Sequence, residues 1–184
     1  MISIDAKEIE KAKSLLKNYP QQVIAAAASA INRTSAMVKT EVSKTIRKNY
    51  LISAKDIKST LSIKRASRLK LTGMISSIGQ APLITAFRVR AYKKGPVRVQ
   101  VMKKNKPKPV LGLFIGFSLK GYVGAMQRKN LSMRYPLRIP HGPSVPQMFS
   151  ADRSMSVIAP FAEKTLNQRF LHEISYRYGK FGGR

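Results

Sequence analysis

The sequence predicts an α+β fold, with N-terminal helices including one long helix, a central mainly antiparallel β-sheet, and a C-terminal helix. Three observations predict it. Apolar positions recur every three or four residues between 20 and 50. Between 69 and 128, short β-branched and aromatic segments alternate with glycine, proline and lysine, and after 157 the helical spacing returns.

Asp5 suits the N-cap of a first helix whose apolar residues Ile9, Ala12, Leu15 and Leu16 share one side, with Asn18-Tyr19-Pro20 as its end. From Pro20 onward, Val23, Ala27, Ile31, Thr34, Val38, Val42, Ile46 and Tyr50 make one continuous stripe. A helix of that length reaches about 40 Å at 1.5 Å per residue, so some of it is expected to pack on something outside the monomer. The run Ala25-Ala26-Ala27-Ala28, with Ala30, permits close helix approach. Ser53 followed by Asp56 resembles a capping arrangement for a short helix through Leu61.

Strands are expected around 69–80, 83–91, 97–102, 110–117 and 122–128, with Gly112, Gly116, Gly121 and Gly124 in them at bulges or close approaches. Pro136, Pro140, Pro143 and Pro146 then force an extended segment, because each fixes its own φ and biases its predecessor away from helix. Val157, Phe161, Phe170, Leu171 and Ile174 form the last helical pattern, with Gly179 as its stop. The whole reads as one domain spanning 1–184: a helical region over 1–61, a β-rich basic region over 62–140, an extended segment and helix over 141–178, and a loose tail over 179–184.

Charge dominates the composition, with 35 lysines and arginines against 8 carboxylates, a formal +27. Spread over a compact body of this length, such a charge costs on the order of 20 kcal/mol of self-repulsion at physiological salt. Folding stability is usually only about 5 to 15 kcal/mol, so a free monomer gains from an anionic partner. Nucleic acid, an acidic protein and an anionic lipid all have the required sign. The excess is uneven, since no acidic residue stands between Asp56 and Asp152. There the cations alternate with apolar residues, as in Phe87-Arg88-Val89-Arg90 and Val97-Arg98-Val99-Gln100-Val101, which read as strands with basic outer faces. Lys93, Lys94, Lys103, Lys104, Lys106 and Lys108 fall instead near two hairpin ends, with Tyr92 close by. These six are the candidates for contact with nucleic acid or a channel; solubility, or an acidic protein surface, is the alternative reading.

Other classes find little support. No apolar run approaches the roughly 20 residues that span a bilayer, so no membrane association is expected, and Met1-Ile2-Ser3-Ile4-Asp5 lacks the basic start of a signal peptide. The lack of cysteine removes disulfides and thiolate metal sites and permits a reducing compartment. His141 and His172 stand alone, without a second metal ligand or a catalytic partner. Glu41 and Glu173 are expected to pair with lysine or arginine at helical spacing. No glycine-rich phosphate loop and no recognised nucleic-acid reader motif is present. The expectation is a non-enzyme with no catalytic residue, no metal and no cofactor.

Several stretches, taken in order, resemble one known family. They are Ala30-Ile31-Asn32-Arg33-Thr34; Ile46-Arg47-Lys48-Asn49-Tyr50 leading to Ala54-Lys55-Asp56-Ile57-Lys58; Lys64-Arg65-Ala66-Ser67; and Gly142-Pro143-Ser144-Val145-Pro146-Gln147-Met148, the most specific, which follows Pro136-Leu137-Arg138. Together they are similar to the phage and prophage minor tail protein Z family, the tail completion proteins of long-tailed phages. The chain departs from the family at His141, where tyrosine is common, at Ile139 and Pro140, and in the hairpin near Gly121. The resemblance implies a virion structural protein at the head-proximal end of the tail, the neck, present in the host cytoplasm during assembly. It implies a homo-oligomeric ring, a hexamer, needed for tail completion, head-tail joining and DNA passage. The implied partners are tail terminator, connector or tape measure proteins, with double-stranded DNA in the lumen. Val38, Val42 and the seven residues of 142–148 are the expected ring or partner contacts, although 142–148 also reads as an extended linker entering a helix. The competing class is a basic nucleic-acid-binding protein unrelated to virions.

Overall fold

The computed structural model describes residues 2–5, 20–92, 95–117, 121 and 123–181. They form the expected mixture of helices and antiparallel strands, but the strands divide into three small sheets. Contacts group the chain into two compact units. The first comprises Met1–Thr45, Leu61–Ile78 and Phe149–Arg184, and the second Ile46–Thr60 and Gly79–Met148.

The long helix α1, Pro20–Asn49, has 30 residues and so extends about 45 Å. Every member of its expected stripe, from Val23 through Ile31, Val38 and Ile46 to Tyr50, is buried. The chain itself covers this stripe, so the expected overhang onto something outside the monomer is corrected. Arg47 and Lys48 sit in the last turn, where cations complement the helix dipole. The N-terminal helix expected after Asp5 falls on 6–19, outside the described residues.

In the first unit, β1 (Ile2–Asp5) and β2 (Leu61–Lys64) pair on either side of β3 (Thr72–Ser77), both antiparallel. At Gly73 a Cβ would stand 2.6 Å from Ile31 Cγ2 and 2.9 Å from Ser35 Oγ, so β3 approaches α1 closely only because that side chain is absent. The C-terminal helix, α4 (Asp152–Phe181), brings Phe170, Leu166 and Ile174 against Val23, Ala27 and Ala30. Small alanines on α1 thus receive large side chains from α4. Beside them Arg33 Nε pairs with the buried Glu173 at 3.0 Å, while Arg177, one helical turn from Glu173, donates to Ser29 Oγ at 3.0 Å.

Two expectations for α4 are corrected. Gly179 does not stop it, since the helix continues to Phe181. Its buried face also differs from the apolar stripe, because Ser154, Ile158, Ala162, Thr165 and Glu173 are buried whereas Val157 and Leu171 are 49% and 66% exposed. Burial of Ser154 and Thr165 leaves each a hydroxyl to satisfy, which an apolar pattern cannot reveal.

In the second unit, Ser53 and Asp56 cap α2 (Ala54–Thr60) as expected: the Asp56 N–H donates to Ser53 Oγ at 3.1 Å, and the Ser53 hydroxyl donates to Asp56 Oδ2 at 2.7 Å. One sheet orders β4 (Arg88–Arg90), β5 (Arg98–Gln100) and β6 (Lys108–Pro109). The other orders β7 (Leu113–Phe117), β8 (Val123–Arg128) and β9 (Leu137–Arg138). Val97, Val99, Leu113 and Ala125, joined by Ile84, Val89 and Val110, make the core between them. Gly116 and Gly124 lie in β7 and β8, but Gly112 and Gly121 do not lie in strands. With φ of +70° and +81°, they occupy turn conformations that a side chain disfavours.

Candidate partner-binding surfaces

Alternation along β4 and β5 decides where the cations of the second unit go. Val89 and Val99 are cross-strand neighbours on the core side, which sends Arg88, Arg90, Arg98 and Gln100 to the opposite face. Arg90 stands directly across from Arg98, and Arg88 across from Gln100. All three arginines are exposed, and the Arg98 guanidinium lies 5.6 Å from the centre of the Tyr92 ring. The sequence shows these strands as basic on their outer faces, yet the three arginines are not among its candidate site residues; period-two alternation is the signal that locates them.

The lysine loop is built differently. The Lys103 N–H donates to the carbonyl of Asn49 at the end of α1 at 2.9 Å, and Tyr50 bridges to Met102. The Gln100 amide donates to the carbonyls of Lys103 and Asn105, at 3.3 and 2.7 Å. The backbone is therefore fixed while Lys103, Lys104 and Lys106 extend into solvent, and exposed Arg47 and Lys48 immediately precede Asn49 on α1. Lys108 is exposed in β6, apart from the loop proper. Lys93 and Lys94 lie outside the described residues.

The run 142–148 is a folding device. Gly142 lies so close to the Phe87 ring that a Cβ would stand 2.8 Å from Cδ2, 2.9 Å from Cζ and nearer still to Cε2. Its N–H donates to Pro82 O at 2.9 Å. Ser144 and Gln147 form a reciprocal cap for α3 (Val145–Ser150): the Ser144 N–H donates to Gln147 Oε1 at 3.0 Å, and the Gln147 N–H donates to Ser144 Oγ at 3.4 Å. Pro146 falls in the first turn, where its missing N–H costs nothing. Val145 and Met148 are buried, while Pro143 and Pro146 are half-buried and Gln147 is exposed. Val38 and Val42 are wholly buried within the chain, leaving no side-chain surface for a partner.

Asn32 explains a second pair of motifs. Its side-chain amide donates to Ala66 O at 2.9 Å and accepts from the Ala66 N–H at 2.8 Å, joining 30–34 to 64–67 much as a neighbouring strand would.

Groups suited to chemistry are engaged or dispersed. Glu41 pairs with Lys44 at 3.7 Å and Glu173 with two arginines, both as anticipated in type. An open cleft of about 450 Å³ borders Asp56, Thr60, Pro82, Leu83 and Val145, and Asp56 is committed to the Ser53 cap. Exposed His141 bridges Leu83 through its backbone, and His172 is exposed on α4. Among the described residues no three histidines, cysteines or carboxylates gather to hold a metal ion, and no helix is long and apolar enough to cross a membrane.

No curated protein and no solved structure matches the chain. The model of a family described as prophage minor tail protein Z matches residues 6–178.

Proposed function

Because the chain belongs to the prophage minor tail protein Z family, a family of phage minor tail proteins and hence of virion components, we propose that it acts without catalysis at the head-proximal end of the tail. In this reading several copies form a ring at the neck, complete the tail, allow it to join the head and line the path of DNA. The family match over nearly the whole chain carries the proposal. The uncompensated charge of the second unit supports it, because a neck component meets both DNA and the acidic faces of neighbouring rings.

Magnitude divides that charge between two destinations. Six copies carry about +160, whereas a channel about 40 Å long holds only about 24 phosphates of duplex DNA. DNA in the lumen neutralises a minor share, and the remainder faces acidic partners such as a tail terminator, a connector or the end of a tape measure protein. The lysines of 103–108 are the portion assigned to the channel.

Mass spectrometry of purified particles tests the reading. The chain should be found in intact virions or tail-like particles in several copies per tail, and tails made without it should fail to join heads. Its absence from particles refutes the role and favours a basic nucleic-acid-binding protein unrelated to virions. A single copy per tail refutes the ring.

A further inference from the structure

The charge of this protein is least compensated in its second unit. The second unit holds 18 lysines and arginines against a single carboxylate, Asp56, which is itself bonded to Ser53. Its β4–β5–β6 sheet turns valines inward and presents Arg88, Arg90 and Arg98 outward. Like charges directly opposite one another across antiparallel strands destabilise a sheet, yet Arg90 faces Arg98, and no ion pair among the described residues relieves either. A surface that bears this repulsion is suited to an anion supplied from outside.

We propose that the outer face of this sheet, through Arg88, Arg90 and Arg98, grips the phosphate backbone of double-stranded DNA without regard to base sequence. Three features select this occupant. Guanidinium groups offer paired N–H donors that match phosphate oxygens, and Tyr92 beneath Arg98 helps hold one such group in place. Arg88 and Arg90 lie about 6.8 Å apart along their strand, close to the roughly 7 Å through space between consecutive phosphates of one DNA strand. The face also carries no carboxylate to compete with a polyanion, since Gln100 stands across from Arg88 and Pro109 across from Arg98, with Tyr92 at the margin. Single-stranded nucleic acid is disfavoured because its binding relies on rows of aromatic platforms, and the Tyr92 ring is already covered by Arg98.

This contact differs from that of the lysine loop, and it stands whether or not the chain is found in a tail. The test is fluorescence anisotropy of the full chain with a labelled duplex of roughly 30 base pairs, long enough for several phosphate contacts, over a range of salt. The triple variant R88Q/R90Q/R98Q removes three contacts, each contributing a slope of about −0.9 in log affinity against log salt. Between about 50 and 200 mM salt, the affinity lost by the wild type should therefore exceed that lost by the variant roughly 40-fold. Its thermal midpoint should equal or exceed the wild type's, showing that the fold is intact. The control R65Q/R68Q/K70Q removes the same charge from exposed positions of the first unit and should keep most of the affinity and slope. Equal losses in both variants would reduce the effect to net charge and overturn the proposal, as would an unchanged slope in the first. Binding to poly-L-glutamate that needs the three arginines, with none to duplex DNA, would transfer the surface to an acidic protein and overturn it too.

Discussion

Alanine at Gly142 should destabilise the protein severely for so small a change. Its Cβ would stand 2.8 Å and 2.9 Å from two atoms of the Phe87 ring, where ordinary contact begins at 3.4 Å. Neither side can retreat freely. Phe87 is 5% exposed, and its N–H donates to Ile84 O. Gly142 is tied to Pro82, and Ile84 to Pro140, by hydrogen bonds of 2.9 and 3.0 Å. Overpacking of this kind costs about 1 to 3 kcal/mol, and the double tether places Gly142→Ala near the upper end. Urea denaturation followed by circular dichroism measures it. Phe87→Leu alone should cost about 1 to 2 kcal/mol by losing ring contacts, but it makes room for the new methyl. The double variant should then be less destabilised than the sum of the singles by about 1 kcal/mol or more. A Gly142→Ala protein within about 0.5 kcal/mol of wild type would refute the close-packing argument. If that protein were stable yet absent from assembled particles, the motif would be a partner contact instead.

Three further substitutions probe other features. Thr34→Val should stabilise the chain by about 1 kcal/mol, because the Thr34 hydroxyl is fully buried without a hydrogen-bond partner; a loss of stability would mean that the hydroxyl is satisfied in solution. Asn32→Ala should cost about 2 kcal/mol by leaving both backbone groups of Ala66 unpaired, and Asn32→Asp should not restore it, since a carboxylate cannot donate to the Ala66 carbonyl. Full recovery by aspartate in denaturant titrations would argue against the two-way bond. Val38→Asp or Val42→Asp should abolish the folded monomer, visible as lost helical signal in dilute solution, whereas a folded but non-assembling variant would restore these valines as ring contacts.

The long helix was legible because its burial is one-sided and continuous, so positions three and four residues apart carried the whole pattern from Val23 to Tyr50. The Ser53–Asp56 cap was legible for a local reason, since both partners lie within one helical turn. Strand positions emerged where alternation was strong, as in 87–90 and 97–101. The strand β2 escaped because Leu61-Ser62-Ile63-Lys64 follows directly on α2 and its pairing with β3 is a tertiary choice. The buried face of α4 escaped because Ser154, Thr165 and Glu173 are polar, whereas Val157 and Leu171 carried the hydrophobic signal to solvent. Among candidate surfaces, the lysines were conspicuous as a cluster in sequence. The facing of Arg90 and Arg98 required the register of two strands, which no local pattern specifies.

The route of the chain through its two units also sets an order of events during synthesis. Ser29 meets Arg177 across 148 positions, and the same long return brings Phe170 to Val23, Ala27 and Ala30. Closing a loop of that length costs roughly 4 kcal/mol in chain entropy, against a reward that comes only when the last helix arrives. At roughly 5 to 20 residues per second, the front of α1 waits about seven to thirty seconds after translation for its cover. Most of the second unit, 79–148, is complete before then. A ribosome that stops short of Phe170 therefore releases a finished basic sheet pair joined to a long helix whose Val23, Ala27 and Ala30 lack the Phe170 that packs on them, a product suited to chaperones and proteases rather than to assembly.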